Sequence, residues 1–351
     1  MKKQYIIPIF IPYTGDEGKY TIDTQNLDNS KKEMITKEDL QKIIEEQLNI
    51  VKDEKDICIE VSFIGGNFTA LDIETQKDFL EVIYKYVEEK KIDSIKISTT
   101  PNYINKDVLK LLKKYKVQTI ELEIQSANDY ILKKSNRQYN FKQVKKASKL
   151  IRLYGFKLAH QMIIGLPEST RIDEINTAKA LIKLKPKIVR IETILVIKGT
   201  ELEKEYNEEI YQPLTVTQAV EIIKELIQMF KLKKIDVIRS GLQNEDAILD
   251  LKEDASKIIA GPYHPAFEQL VESAMWYDAI VYKIKKLNVK VKEVEVTVNS
   301  VDSDNVIGYK KENIEKLKLL YDVDLIVKSD ENLKQGKSQI VITKTYTDFL
   351  E

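Results

Sequence analysis

Short apolar runs and amphipathic stretches alternate along this chain with little between them, and that alternation leaves few architectures open. The runs Ile6–Ile11, Ile57–Ile64, Ile95–Ser98, Val117–Ile124, Lys157–Ile164, Ile188–Val196 and Ile235–Ser240 have the length and apolar continuity of strands buried on both faces. Between them, Thr36–Val51, Ile73–Glu89, Lys106–Tyr115, Phe141–Tyr154, Asp173–Leu184 and Thr217–Phe230 place apolar residues three and four apart, the period of a helix packed on one side. In the first of these, Leu40, Ile43, Ile44, Leu48 and Val51 form the stripe, and Thr36-Lys37-Glu38-Asp39 opens it as a capping signal. Each helix carries the chain back so that the next strand runs in the same direction, which predicts a parallel sheet. The expected fold is therefore α/β, a partial or full TIM-like (β/α) barrel over residues 1–287 rather than a doubly wound sheet.

Composition removes several classes of function. The 351 residues are 43% hydrophobic, enough for a large core, and Lys+Arg and Asp+Glu both number 56. No global charge draws the chain to nucleic acid or anionic lipid, so such a contact needs a local patch. The arginines are only Arg137, Arg152, Arg171, Arg190 and Arg239, and the lysine excess reads as a composition bias. Cys58, the single cysteine, lies within Ile57–Phe63 and reads as a buried small apolar residue. No internal disulfide and no sulfur-ligated metal can form. With two histidines, of which His160 sits inside an apolar strand as a core residue, no zinc site is expected. No run reaches the roughly 18 apolar residues of a membrane span, and Met1–Tyr5 does not begin a signal peptide, so the cytoplasm is the expected compartment.

A barrel carries its chemistry at the carboxyl ends of its strands. After the first strand, Thr14-Gly15 opens a polar loop that offers Asp16, Glu17, Lys19, Tyr20 and Asp23 and no cysteine. The stretch Ile6–Asp23 resembles the cluster-binding loop of the radical-SAM enzymes, in the branch similar to the catalytic subunit of Elongator. There such a strand leads into Cys-x3-Cys-x2-Cys, whose thiolates hold a [4Fe–4S] cluster. The matching positions here are Asp16, Tyr20 and Asp23. Carboxylates and a phenol are hard donors, mismatched to cluster iron, so the resemblance implies the fold while the replacements imply that no iron–sulfur cluster is held. A hard cation on Asp16, Glu17 and Asp23 is a further reading, although their spacing fits no cation-binding loop.

The resemblance continues in order at later strand ends. Gly65-Gly66-Asn67, Ser98-Thr99-Thr100-Pro101, Gln125-Ser126 and Gly165-Leu166-Pro167 are similar to the family segments that line its cofactor cavity. It implies contacts to S-adenosylmethionine from Gly65, Gly66, Asn67, Ser98, Thr100, Gln125, Ser126 and Gly165, while two glycines after a strand also make an ordinary turn. Val189–Leu202 and Gly261–Phe267 match further segments, which places Lys198 and His264 as candidate substrate contacts; a hydrogen bond fixing a turn is the other reading of His264. Glu123 replaces a family glycine, and Glu192-Thr193 replaces a Tyr-Pro pair. A carboxylate on the inner rim adds volume and charge where the adenosyl group would sit, so S-adenosylmethionine binding stays open; alternatively each glutamate faces solvent or pairs with a lysine.

From Asn288 the pattern changes to a smaller α+β domain, 288–351. Lys290–Val298 alternates as a half-buried strand, a helix runs to Tyr321, and strands follow at Val323–Val327 and Gln339–Thr343. This order resembles a KH domain, whose Gly-x-x-Gly loop clamps single-stranded nucleic acid. The corresponding residues are Gly308, Tyr309, Lys310 and Lys311, with lysine in place of the last glycine. The function these features imply is a degenerate radical-SAM-fold protein, non-catalytic, that binds tRNA or another RNA, a protein partner or an active paralogue. The alternative is a radical-SAM enzyme of the Elongator-like branch acting in tRNA modification.

Overall fold

The computed structural model describes residues 3–11, 34–239, 257–287 and 289–346. It divides into two compact units, Met1–Thr215 with Leu226–Tyr263, and Val216–Glu225 with His264–Glu351.

The first unit is built on β1 (Lys3–Ile11), β2 (Ile57–Gly65), β3 (Ser94–Thr99), β4 (Thr119–Gln125), β5 (Lys157–Ile164), β6 (Ile188–Thr193), β7 (Val196–Ile197), β8 (Asp236–Arg239) and β9 (Ile258–Ala260). Its helices are α1 (Lys37–Ile50), α2 (Ile73–Glu88), α3 (Lys106–Lys114), α4 (Asp129–Lys134), α5 (Phe141–Leu153), α6 (Arg171–Leu184) and α7 (Glu201–Asn207); α8 (Val216–Lys231) divides between the units. Among the described residues, seven strands form one sheet in the order β1-β2-β3-β4-β5-β6-β8, every pair parallel. Each strand–helix step advances one place in the same direction, and the sheet curls into a half-barrel with the strand carboxyl ends along one rim. The partial barrel expected from the alternation is what the chain forms.

Local chemistry sets the element ends. Thr36 caps α1 with a full capping box to Asp39, and Asn140 and Thr170 do the same for α5 and α6. The expected strand Ile188–Val196 ends early at Thr193; the chain leaves the sheet, and Val196–Ile197 pairs antiparallel with β9. Two faces of the sheet differ in character. Phe63 stacks on Phe79 of α2 with ring centroids 6.2 Å apart, which marks its face as the helix side; in register lie Ile9, Ile97 and Ile120, all fully buried. Burial of each such side chain contributes about 1.5–3 kcal/mol. The opposite, concave face carries Lys96, Ser98, Glu121, Glu123, Gln161, Arg190 and Glu192, because strand residues alternate sides.

The second unit holds α9 (Phe267–Lys285), β10 (Val291–Val298), α10 (Ser300–Ile307), α11 (Glu312–Tyr321), β11 (Asp324–Ser329) and β12 (Ser338–Thr345). Its sheet order is β11-β10-β12, with β10 parallel to β11 and antiparallel to β12. Ile280, Val281 and Ile284 of α9 share one core with Val294, Val296, Val306 and Leu317, so α9 completes the hydrophobic interior of this unit. No helix among the described residues is long and apolar enough to cross a membrane.

Candidate functional site

The strand ends of β2 to β5 bring most of the expected cofactor residues to one rim. At Gly65 the chain turns with φ +92, and an added Cβ would meet Ile11 O at 2.8 Å and the Phe10 ring at 2.6 Å, so only glycine fits there. The Gly66 N–H is used by Ile11 O at 2.7 Å. Ser98 donates to Glu121 Oε1 at 3.3 Å, and Ser126 Oγ lies 3.4 Å from Thr177 Oγ1 and accepts from the Asn128 N–H. Three other groups are left over. Asn67 (both amide atoms), Thr100 (Oγ1) and Gln125 (Oε1) are at most 2% exposed and have no hydrogen-bond partner among the described residues. Buried polar atoms need partners, so these three, at the ends of three successive strands, fit the polar end of a small ligand such as S-adenosylmethionine.

Gly165, at the end of β5, is held from two sides. Its N–H donates to Glu174 Oε1 at 3.0 Å, and its carbonyl accepts from the Tyr211 hydroxyl at 2.7 Å. Ser169 donates to the same Glu174 oxygen at 2.8 Å. Burial pushes the Glu174 carboxyl up to about 7 despite both hydrogen bonds, and burial likewise raises the Tyr211 phenol.

Beneath the rim, the concave face is occupied by an ion-pair network that the sequence reading did not foresee. Glu121 Oε2 takes Lys96 Nζ at 2.7 Å and Arg190 Nε at 3.3 Å. Arg190 Nη1 lies 3.9 Å from Glu192 Oε1, and Gln161 donates to Glu192 Oε2 at 2.6 Å. Burial alone would raise the Glu121 carboxyl, but Arg190 and Lys96 outweigh it and hold it at about 2. Burial works against the Arg190 guanidinium too, yet Glu121, Glu192 and Glu123 keep it raised. Glu123 and Glu192 thus do not face solvent; both are buried, and Glu192 pairs with arginine and an amide. Spatial pairing across strands is invisible to periodicity, although the shared parity of these residues was there to be read.

The remaining candidates separate. Lys198 is exposed, its N–H spent on Lys257 O at 2.8 Å. His264 accepts the Ala266 N–H on Nδ1 at 3.0 Å, a turn-fixing bond, and its ring stands edge-on to Tyr309 with centroids 5.0 Å apart. Lys310 lies over the Tyr309 ring at 5.4 Å. Gly308 has φ 88 and ψ 154, nearly glycine-only space, and Lys310 (φ 51) and Lys311 (φ 68) both adopt left-handed backbone. His160 is buried on the helix side with Nε2 3.0 Å from Ser148 Oγ; burial lowers it to about 3, so it stays neutral. Cys58 is half-buried rather than enclosed. In the second unit a cleft of about 360 Å³ includes Lys224, Ser273 and Tyr277, but Lys224 is already shared between Glu221 and Asp278 at 2.8 Å each. Asp16, Glu17, Tyr20 and Asp23 lie outside the described residues.

A curled parallel half-barrel with glycine turns and polar groups gathered on its carboxyl rim is the radical SAM fold. Sequence profiles agree: the radical SAM superfamily matches residues 28–181 and the radical SAM C-terminal domain matches residues 186–277. The chain belongs to the radical SAM superfamily. It is similar to the tRNA uridine(34) acetyltransferase of Methanocaldococcus jannaschii, 29% identical over 185 residues that make up 47% of this chain and 34% of that protein. An uncharacterized protein of the same organism is 27% identical over 226 residues, 61% of each chain. Among solved structures, Elp3 of Methanocaldococcus infernus lacking its N-terminus superposes with a TM-score of 0.61 at 22% identity, over 80% of this chain and 64% of that one, a likeness of fold. The matched stretch spans 35%, 34% and 52% of three of the curated relatives.

Sulfur chemistry sets this chain apart from that family pattern. A [4Fe–4S] cluster is held by thiolates. The single cysteine, Cys58, is the second residue of β2, at the far end of that strand from Gly65. The residues present do not fit the cluster.

Proposed function

We propose that this chain is a non-catalytic radical-SAM-fold protein that binds RNA, of which tRNA is the first candidate. The observation that carries the reading is the absence of cluster ligands in a sequence with one cysteine. Reductive cleavage of S-adenosylmethionine needs an iron with an open coordination site, and side chains do not replace that cofactor. The buried network around Glu121 supports the same reading, since it places fixed charges and side-chain volume on the concave face. Asn67, Thr100 and Gln125 still suit the polar end of a small ligand, which leaves a place on this rim for S-adenosylmethionine without its cleavage. RNA is supported by the tRNA-directed names of relatives and by the Gly308–Lys311 turn, where a half-buried tyrosine ring and two exposed lysines offer stacking and phosphate contact in a KH-like order of elements.

Anaerobic reconstitution with iron and sulfide tests the catalytic half: the expected outcome is no stoichiometric iron and no 5′-deoxyadenosine on reduction, and either product overturns it. For the RNA half, a mobility-shift assay with tRNA on the Lys310→Glu/Lys311→Glu variant should show weakened binding; unchanged affinity removes this turn from the contact.

A further inference from the structure

We propose that the exposed face of α5 is a second nucleic-acid surface, one that holds the phosphate backbone of the RNA assigned to this chain above, on whose assignment it rests. Lys142, Lys145, Lys146, Lys149 and Arg152 lie on α5, and no aspartate or glutamate does. With about 100° of turn per residue, the five fall within an arc of roughly 120° on the side away from buried Val144, Ala147, Ser148 and Ile151. All five are exposed.

A lysine-rich composition does not account for this. The chain is neutral overall, with 56 residues of each sign. Helices α1 and α6 interleave the charges: α1 carries Lys37 and Lys42 among Glu38, Asp39, Glu45 and Glu46, and α6 carries Arg171, Lys179 and Lys183 with Asp173 and Glu174. Helices elsewhere also pair them, as in Lys77–Glu74 at 2.8 Å and Lys204–Glu201 at 2.6 Å. Among the described residues, no carboxylate pairs with Lys142, Lys145, Lys146 or Lys149. Like charges three and four apart, here Lys142 with Lys145 and Lys146, Lys145 and Lys146 with Lys149, and Lys149 with Arg152, each destabilise a helix by about 0.2–0.5 kcal/mol. Segregated charge that weakens its own helix is accounted for by a polyanion that neutralises it.

The patch extends sideways. Lys113 at the end of α3 donates to Tyr154 O, just past α5, at 2.7 Å, which places a further lysine at the end of the patch. A membrane surface fits less well, because a helix seated in lipid needs an apolar face free for insertion, and the apolar face of α5 is in the core with Val144 and Ile151 fully buried. Lysines act here as point charges on phosphates, without base readout.

The test uses the full chain with Lys142, Lys145, Lys146 and Lys149 all changed to Gln, a good helix former that removes charge without breaking α5. Binding of tRNA is measured across a salt series. The expected result is weaker binding and a log K against log salt slope smaller in magnitude by about 3, from roughly 0.7–0.9 per lost phosphate contact. An unchanged slope with the Lys310→Glu/Lys311→Glu variant still impaired overturns this surface alone. A wild-type chain that binds no tRNA overturns the surface together with the RNA reading. Wild-type binding to phosphatidylserine vesicles that the four-site variant loses, with tRNA binding unchanged, reassigns the face to lipid and overturns it as well.

Discussion

Glu174 shows how one buried carboxyl ties rim geometry to pH. Both of its hydrogen bonds, from Gly165 N and Ser169 Oγ, end on Oε1, so glutamine can keep them through its own carbonyl oxygen. Burial raises its folded-state value from 4.5 to about 7, so the folded chain holds this proton over a range where the unfolded chain has released it. Stability from this group is therefore full below 4.5 and falls as pH rises toward 7, by roughly 3 kcal/mol in all at about 1.4 kcal/mol per unit. Denaturant titrations of wild type and Glu174→Gln should diverge across that window, with the variant gaining relative stability as pH rises; a constant difference would show that the carboxyl titrates normally. Nothing in the spacing of Glu174 distinguishes it from a solvent-facing residue of the first turn of α6. The residue scale was legible where the backbone dictates identity, as at Gly65, which the strand end singled out and the Phe10 ring and Ile11 carbonyl explain.

Across elements, the parallel sheet was legible because apolar runs and helical stripes alternate, and its strand order follows the sequence through β6. Misreadings came where that signal is short. Asp129–Lys134 and Glu201–Asn207 are helices of fewer than two or about two turns, too brief for periodicity, and Val196–Ile197 continues an apolar run while belonging to another sheet. The link between β3, β4 and β6 was not legible, since Lys96, Glu121 and Arg190 meet only after the sheet forms. That link has a sign opposite to Glu174. With its folded value held at about 2 against 4.5 unfolded, Glu121 contributes stability above 4.5 that is lost as pH falls toward 2, again roughly 3 kcal/mol. Glu121→Gln should thus destabilise the chain by about 3–5 kcal/mol at neutral pH, because it strands a buried cation. Thermal melts of the variant check this, and a loss under 1 kcal/mol would mean that water reaches the network.

For the whole molecule, two departures from the pattern that the resemblance implies coincide: no cysteine at the three cluster positions Asp16, Tyr20 and Asp23, and buried carboxylates at Glu123 and Glu192 on a concave face of paired charge. They are separable by experiment. Changing Asp16, Tyr20 and Asp23 together to cysteine restores the three-thiolate spacing that the resemblance implies. It leaves Lys96, Glu121, Arg190 and Glu192 in place. If fixed charge on the concave face is a second, independent barrier, the three-cysteine variant takes up iron and sulfide under anaerobic reconstitution yet forms no 5′-deoxyadenosine when reduced with S-adenosylmethionine present. Reverting Glu123 to glycine and Glu192 to tyrosine in that background then removes two of the carboxylates around Arg190 and should bring 5′-deoxyadenosine above background. Cleavage by the three-cysteine variant alone would show that thiolate loss is the whole of the difference, and that the network merely fills space the cofactor never used.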